Sequence, residues 1–151
     1  MKRKLRLLIP LMLLMVSLSC KKNSTAEPPA PTPDTTVPTI VLTDPTPGKT
    51  LVLGTALHLQ MDLSDNVELK SYKVTITKSL KGLVTSDWAY SSGTISIAAG
   101  KKTFAVNNND ITVPLTVTGN QTTTGNYDMV ITCLDTSNNE TSKTLTIVLT
   151  K

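Results

Sequence analysis

Two short runs of oxygen-bearing side chains, S-D-N-V-E at 64–68 and D-T-S-N-N-E at 135–140, could do metal chemistry in this chain of 151 residues. Calcium takes six to eight oxygens from carboxylates, amides and carbonyls. Asp65, Asp135 and Asn138 are the candidate ligands, provided that folding brings the two runs to one place. The competing reading is structural and the sequence favours it: Asx side chains in tight loops bond their own backbone to make the turn. A second pair, Trp88 and Tyr90 in S-D-W-A-Y, would share a face on a strand and could stack on a sugar. The alternative is that Trp88 covers one edge of a core that has few other aromatic residues to fill it.

Nucleophilic catalysis has less to draw on, because it needs a thiol or hydroxyl within reach of an oriented base. Cys133 shares the parity of Tyr127 and Met129, whereas His58 alternates with Leu57 and Leu59 and takes the opposite face. Cys133 therefore reads as a small buried hydrophobe. A lone histidine has no fellow ligands for a zinc site, and no carboxylate cluster suggests glycoside hydrolysis. Neither an enzyme nor a bound cofactor is expected.

The elements that must position these residues are strands. Apolar residues recur at every second place in Leu57, Leu59, Met61 and Leu63, and again in Tyr72, Val74 and Ile76. The same spacing holds for Ile111, Val113, Leu115 and Val117, for Tyr127, Met129, Ile131 and Cys133, and for Leu145, Ile147 and Leu149. Successive strand side chains point to opposite faces, so each set predicts a strand with one buried face. Shorter pieces at 39–43, 49–52, 88–90 and 94–98 bring the expectation to seven to nine strands. Threonine at the outward places suits a β-branched residue that must also meet water. The pattern predicts an all-β, immunoglobulin-like antiparallel β-sandwich over 38–151. In such a sandwich the loops after 57–63 and after 127–133 lie at the same end.

Ahead of the sandwich the chain changes character twice. Residues 1–19 have a basic head (Lys2, Arg3, Lys4, Arg6), an apolar run over 7–16 broken only by Pro10, and a small-residue end, which is the layout of a secretory signal peptide. That ten-residue run is too short to span a bilayer as a helix, which takes about 20 apolar residues. Ser19 followed by Cys20 resembles the lipobox of bacterial lipoproteins, although Ser17 stands where the large aliphatic residue is usual and Leu18 comes one later. The resemblance implies that Cys20 is acylated and becomes the first mature residue. Stable anchoring needs two acyl chains or more. Residues 20–37 then form a linker, expected to be disordered because its prolines come with almost no large apolar side chain. Within it Asp34-Thr35-Thr36 resembles a Bacteroidetes O-glycosylation acceptor, which would modify Thr35.

Of 15 basic residues, four lie in the signal, which leaves 11 against 11 acidic ones. A neutral mature chain with few aromatic residues lacks the basic stripe and stacking platforms of a nucleic-acid binder. With Cys20 acylated, Cys133 has no intrachain disulfide partner, so the fold rests on its core.

The most specific fold signal is Gly125-Asn126-Tyr127 leading into M-V-I-T-C-L-D. A tyrosine there can turn its hydroxyl back to the upstream backbone as a tyrosine corner. The stretch L-T-D-P-T-P-G-K-T-L-V-L-G-T-A-L-H-L-Q-M-D-L-S-D-N-V-E-L-K-S-Y-K-V-T-I, with the Trp88 region, D-I-T-V-P, G-N-Y-D-M-V-I-T-C-L-D and N-N-E-T, resembles a family of Bacteroidetes lipoproteins that share an Ig-like domain of unknown function. The likeness covers 38–151. Relatives in that family are richer in histidine where this chain has 107–110 and Asn126, which weakens any metal role carried over from them.

The resulting expectation is a non-enzymatic lipoprotein. It has a membrane anchor at Cys20, a spacer, and one Ig-like binding or structural module whose partner is a protein or a glycan. The alternatives are a surface glycan binder using Trp88 and Tyr90, or a calcium-stabilised adhesion-type domain. Lys21 and Lys22 after the cysteine favour the outer membrane and its periplasmic face over the cell surface.

Overall fold

The computed structural model of the protein describes residues 32–80 and 84–151, all of which belong to one compact unit. The signal segment, Cys20 and most of the spacer lie outside the described residues. Eleven strands are described and no helix. Seven of them are three residues or longer: β1 (Thr39–Asp44), β2 (Thr50–Val52), β3 (Ala56–Ser64), β4 (Leu69–Lys78), β7 (Thr103–Thr112), β10 (Gly125–Asp135) and β11 (Glu140–Thr150). The others, β5 (Tyr90–Ser91), β6 (Ile95–Ser96), β8 (Thr116–Val117) and β9 (Asn120–Gln121), are two-residue pieces.

They form an antiparallel sandwich. One sheet runs β1-β3-β7, and the other runs β2-β11-β10-β4, with β5 and β6 on the outer edge of β4. The single parallel pairing among these strands is β2 with β11. Between the sheets lies a core drawn from the alternating sets: Leu57, Leu59, Met61 and Leu63 face Val74, Ile76, Tyr127, Met129, Ile131 and Ile147, each at most 1% exposed. A fully buried side chain of this size contributes about 1.5–3 kcal/mol relative to an exposed one. The inward row is therefore what sets strand register, since a slip of one residue would exchange it for the polar row.

Two expectations are corrected. The set Ile111, Val113, Leu115 and Val117 is not one strand: β7 ends at Thr112, Leu115 is exposed, and Val117 belongs to the separate β8–β9 hairpin. Pro114 stands at the break, where it has no N–H to give a ladder. Trp88 likewise lies ahead of β5 and not in it.

Candidate metal centre

The run Tyr127, Met129, Ile131, Cys133 sends every second side chain inward, and the next inward place is Asp135. A carboxylate thus ends an otherwise apolar row, only 1% exposed. A bulge in the β4–β10 pairing, where Leu134 meets Ser71 and Asp135 meets Leu69, sets the position of the strand end. Asp135 Oδ1 accepts the Asn139 N–H at 2.7 Å and Oδ2 accepts the Asn139 side-chain amide at 2.6 Å. Both donors are neutral.

Asp65 stands in the β3–β4 loop. Its Oδ1 accepts the N–H groups of Val67 and Glu68, each at 2.8 Å, which is the loop-forming Asx turn that the sequence favours. Its Oδ2 is sealed from solvent with no hydrogen-bond partner. The backbone link from Thr136 N–H to the Glu68 carbonyl at 3.0 Å joins this loop to the β10–β11 turn. The two runs of donors meet at one end of the sandwich, as their strand assignments require.

The third carboxylate comes from the segment leading into β1. Asp34 Oδ1 accepts the Thr36 N–H and the Asn66 side-chain amide, each at 3.0 Å, and the Asn139 amide reaches the Asp34 carbonyl at 3.1 Å. Thr141 also bonds the carbonyl of the buried Pro38 at 2.6 Å. Residues 34–37, assigned to the spacer by composition, are thereby tied to the domain. The Asn66 amide, with the Thr36 N–H, holds the Asp34 carboxyl below the ordinary carboxylate value, so it is charged at neutral pH. Its Oδ2, like that of Asp65, is sealed and unpartnered.

One oxygen from each of Asp34, Asp65 and Asp135 lies within 4.8 Å of the others. Two lysine ammonium groups at this end bond neutral oxygens: Lys70 bonds Asn138 Oδ1 at 2.6 Å and Lys102 bonds the Asn66 carbonyl at 2.7 Å. The salt bridges among the described residues are Lys49–Asp44 and His58–Asp110.

Asn138, a candidate from sequence, sits in the β10–β11 turn, its N–H donating to the Asp135 carbonyl at 3.2 Å. It takes a positive φ of 67° in the turn and gives its oxygen to Lys70. Asp34 is the residue that sequence reasoning missed, since nothing in its local pattern separates it from the spacer. The other candidates are held apart. Trp88 is buried, its ring 6.2 Å from Tyr90 and 6.1 Å from Tyr127, and Tyr90 is partly buried against the same core. His58 pairs with Asp110 across β3 and β7 at 2.6 Å, on the outer face of the sheet opposite Cys133. Burial, with Asp65 and Asp135 adding to it, pushes the Cys133 thiol up to about 11. Thr35 is exposed.

The family model described as a domain of unknown function (DUF4625) matches residues 18–150. No curated protein matches the chain. Among solved structures the chain is similar to CopC from Methylosinus trichosporium OB3b, at 11% identity and a TM-score of 0.37, over 74% of this chain and 93% of that one. It is also similar to the β-glucosidase from Listeria innocua in complex with isofagomine, at 13% identity and a TM-score of 0.38. That match takes in 73% of this chain and 16% of the enzyme's.

Proposed function

The chain belongs to the DUF4625 family of domains of unknown function, and from that premise we propose that it is a lipid-anchored protein of the bacterial envelope whose single Ig-like sandwich is a non-enzymatic binding or structural module. The observation that carries this reading is the fate of the two cysteines. Cys133 is fully buried in the core with its thiol pushed up to about 11, which makes it neither a nucleophile nor a modification site. That leaves Cys20, at the point where the apolar run gives way to K-K-N-S-T. The two acyl chains of a diacylglycerol on that sulfur hold the chain to a bilayer.

Further support comes from the separation of the remaining reactive groups. His58 and Cys133 stand on different sheets, so the sandwich does not pair the thiol with a base. With 11 basic and 11 acidic residues after the signal, the mature chain has no electrostatic footprint for nucleic acid, and its partner is a protein or a glycan. Lys21 and Lys22 favour the outer membrane, facing the periplasm.

The test is fractionation of cells expressing the parent and Cys20→Ala, with intact-mass spectrometry of the purified parent. The parent is expected in the membrane fraction with the mass of an acylated Cys20, and the variant in the soluble fraction. A bare sulfur in the parent together with unchanged fractionation of the variant would refute the anchor. Protease treatment of intact cells then reads which face the domain occupies.

A further inference from the structure

We propose that Asp34, Asp65 and Asp135 form a calcium site that staples the segment entering β1 to the β3–β4 and β10–β11 loops. The inference stands on residues 32–151 alone and is independent of whether Cys20 carries lipid.

Three observations carry it. The first is geometric: oxygens bound to one calcium at 2.3–2.6 Å lie no more than about 5 Å apart, and one oxygen from each of the three carboxylates meets that limit within 4.8 Å. The second is the state of the oxygens. Oδ1 of Asp34 and Oδ1 of Asp65 each accept two hydrogen bonds, whereas Oδ2 of each is sealed from water and accepts none. A buried carboxylate oxygen without a donor is costly, and a cation between the side chains satisfies both at once. The third is the burial of Asp135. A carboxylate 1% exposed at the end of an apolar row is expected to be paired with a charge or to coordinate a metal. Among the described residues its hydrogen-bond donors come from Asn139 alone, and Lys70 and Lys102 bond neutral oxygens.

The donor set chooses the ion. Three carboxylates with no imidazole or thiolate favour a hard cation over zinc or copper. Magnesium demands ligands at 2.0–2.1 Å in near-ideal octahedral geometry, which a spread of up to 4.8 Å does not meet, whereas calcium accepts longer and irregular shells. Asp65 and Asp135 are held by their own turns, and Asp34 comes from the segment that enters β1. Binding there fixes the segment that enters β1 to the two loops.

The experiment uses the full chain in detergent, stripped with chelator, titrated with calcium chloride and separately with magnesium chloride, and read by calorimetry and by thermal melting. One calcium per chain is expected, with a dissociation constant on the order of 0.1–1 mM, the range of weak extracellular modules. The melting temperature should rise with calcium and not with the same concentration of magnesium. Asp34→Asn is expected to weaken calcium binding by about tenfold or more, because ligand charge sets affinity in such sites. Glu140→Gln removes an acidic charge from the same turn without touching the three, and should bind as the parent does. Absence of calcium heat and of any melting shift in the parent up to about 10 mM, well above that range, would overturn the site. So would an Asp34→Asn variant with the parent's affinity. If that variant fails to fold, the parent's calcium and magnesium titrations still decide.

Discussion

The Tyr127 hydroxyl donates to the Thr123 carbonyl four residues upstream at 2.8 Å, and the same oxygen accepts the Trp88 backbone N–H at 3.3 Å. One phenol therefore ties the start of β10 to the loop before it and to the segment ahead of β5. Tyr127 is fully buried, its ring lies under the Lys78 ammonium at 4.7 Å, and Lys78 in turn bonds the Thr124 carbonyl. Tyr127→Phe keeps the ring but leaves a carbonyl and a buried N–H without their partner, and each such loss costs about 1–3 kcal/mol. The urea midpoint is expected to fall with the slope unchanged, the signature of lost stability in an unaltered fold.

Trp88 belongs to the same knot, in ring contact with both Tyr90 and Tyr127 and only 6% exposed. Its indole offers a ligand little surface. Trp88→Ala should cost about 3–5 kcal/mol, as other large aromatic truncations in cores do, while Tyr90→Ala, at a half-buried place, costs less. Saccharides added to the folded protein are expected to leave the Trp88 fluorescence unchanged. Quenching that saturates with one sugar would place a glycan site at Trp88 and Tyr90.

The tyrosine corner was legible because Gly125-Asn126-Tyr127 and the inward row behind it are contiguous in sequence. β7 was legible only in part, and the reason is a bulge. Leu59 pairs with Asn109 and Met61 with Val106, so three steps on β7 answer two on β3. The extra residue moves the buried set from Val106 to Ile111 and Val113, from even to odd positions. A count of every second residue cannot cross such a point. The candidate metal centre was legible in two of its three members, because Asp65 and Asp135 follow strands whose order fixes which end they share. Asp34 reaches the cluster through tertiary hydrogen bonds from Asn66 and Asn139, which no local pattern encodes.

The Cys133 thiol supplies a prediction with a definite sign. Its folded value is pushed from 9.0 to about 11, first by burial and then by Asp65 and Asp135. Between those values the unfolded chain gives up the proton while the folded one keeps it. The unfolded state then binds fewer protons, and stability falls as pH rises from 9 towards 11. Cys133→Ala should flatten that part of the stability profile. In the folded parent near pH 8 a thiol reagent should leave Cys133 unmodified, and denaturant should release its reaction.

Gly54 takes φ +85°, and a Cβ there would come within 3.0 Å of Leu115 Cγ and Cδ2. Gly100 takes φ +79° with nothing within 4 Å. Both alanine substitutions carry the left-handed backbone cost of about 1–2 kcal/mol. Only Gly54→Ala must also displace Leu115, an exposed side chain that can turn away. The two variants are expected to lose similar stability, with a small excess at Gly54 that vanishes when Leu115 is also cut to Ala. A large excess that survives the double change would mean that the backbone of the β8–β9 region moves.

Asn139 joins the leading segment to the turn through one amide, which donates to the Asp135 carboxylate at 2.6 Å and to the Asp34 carbonyl at 3.1 Å. An amide nitrogen has two protons, so it satisfies both acceptors at once. Asn139→Ala removes both bonds and strips a buried carboxylate oxygen of its donor, which costs about 1–3 kcal/mol or more. Its distinctive effect is local, because Pro38 remains tied to Thr141 while Asp34 loses a tether. Endoproteinase Glu-C in phosphate buffer cuts after aspartate as well as glutamate, and the Asp34–Thr35 bond leads into exposed residues. Cleavage at that bond, followed by mass spectrometry, should be faster in Asn139→Ala than in the parent, while bonds within β10 and β11 stay protected. Equal acceleration at all sites would mean that the amide supports the whole domain and not the junction.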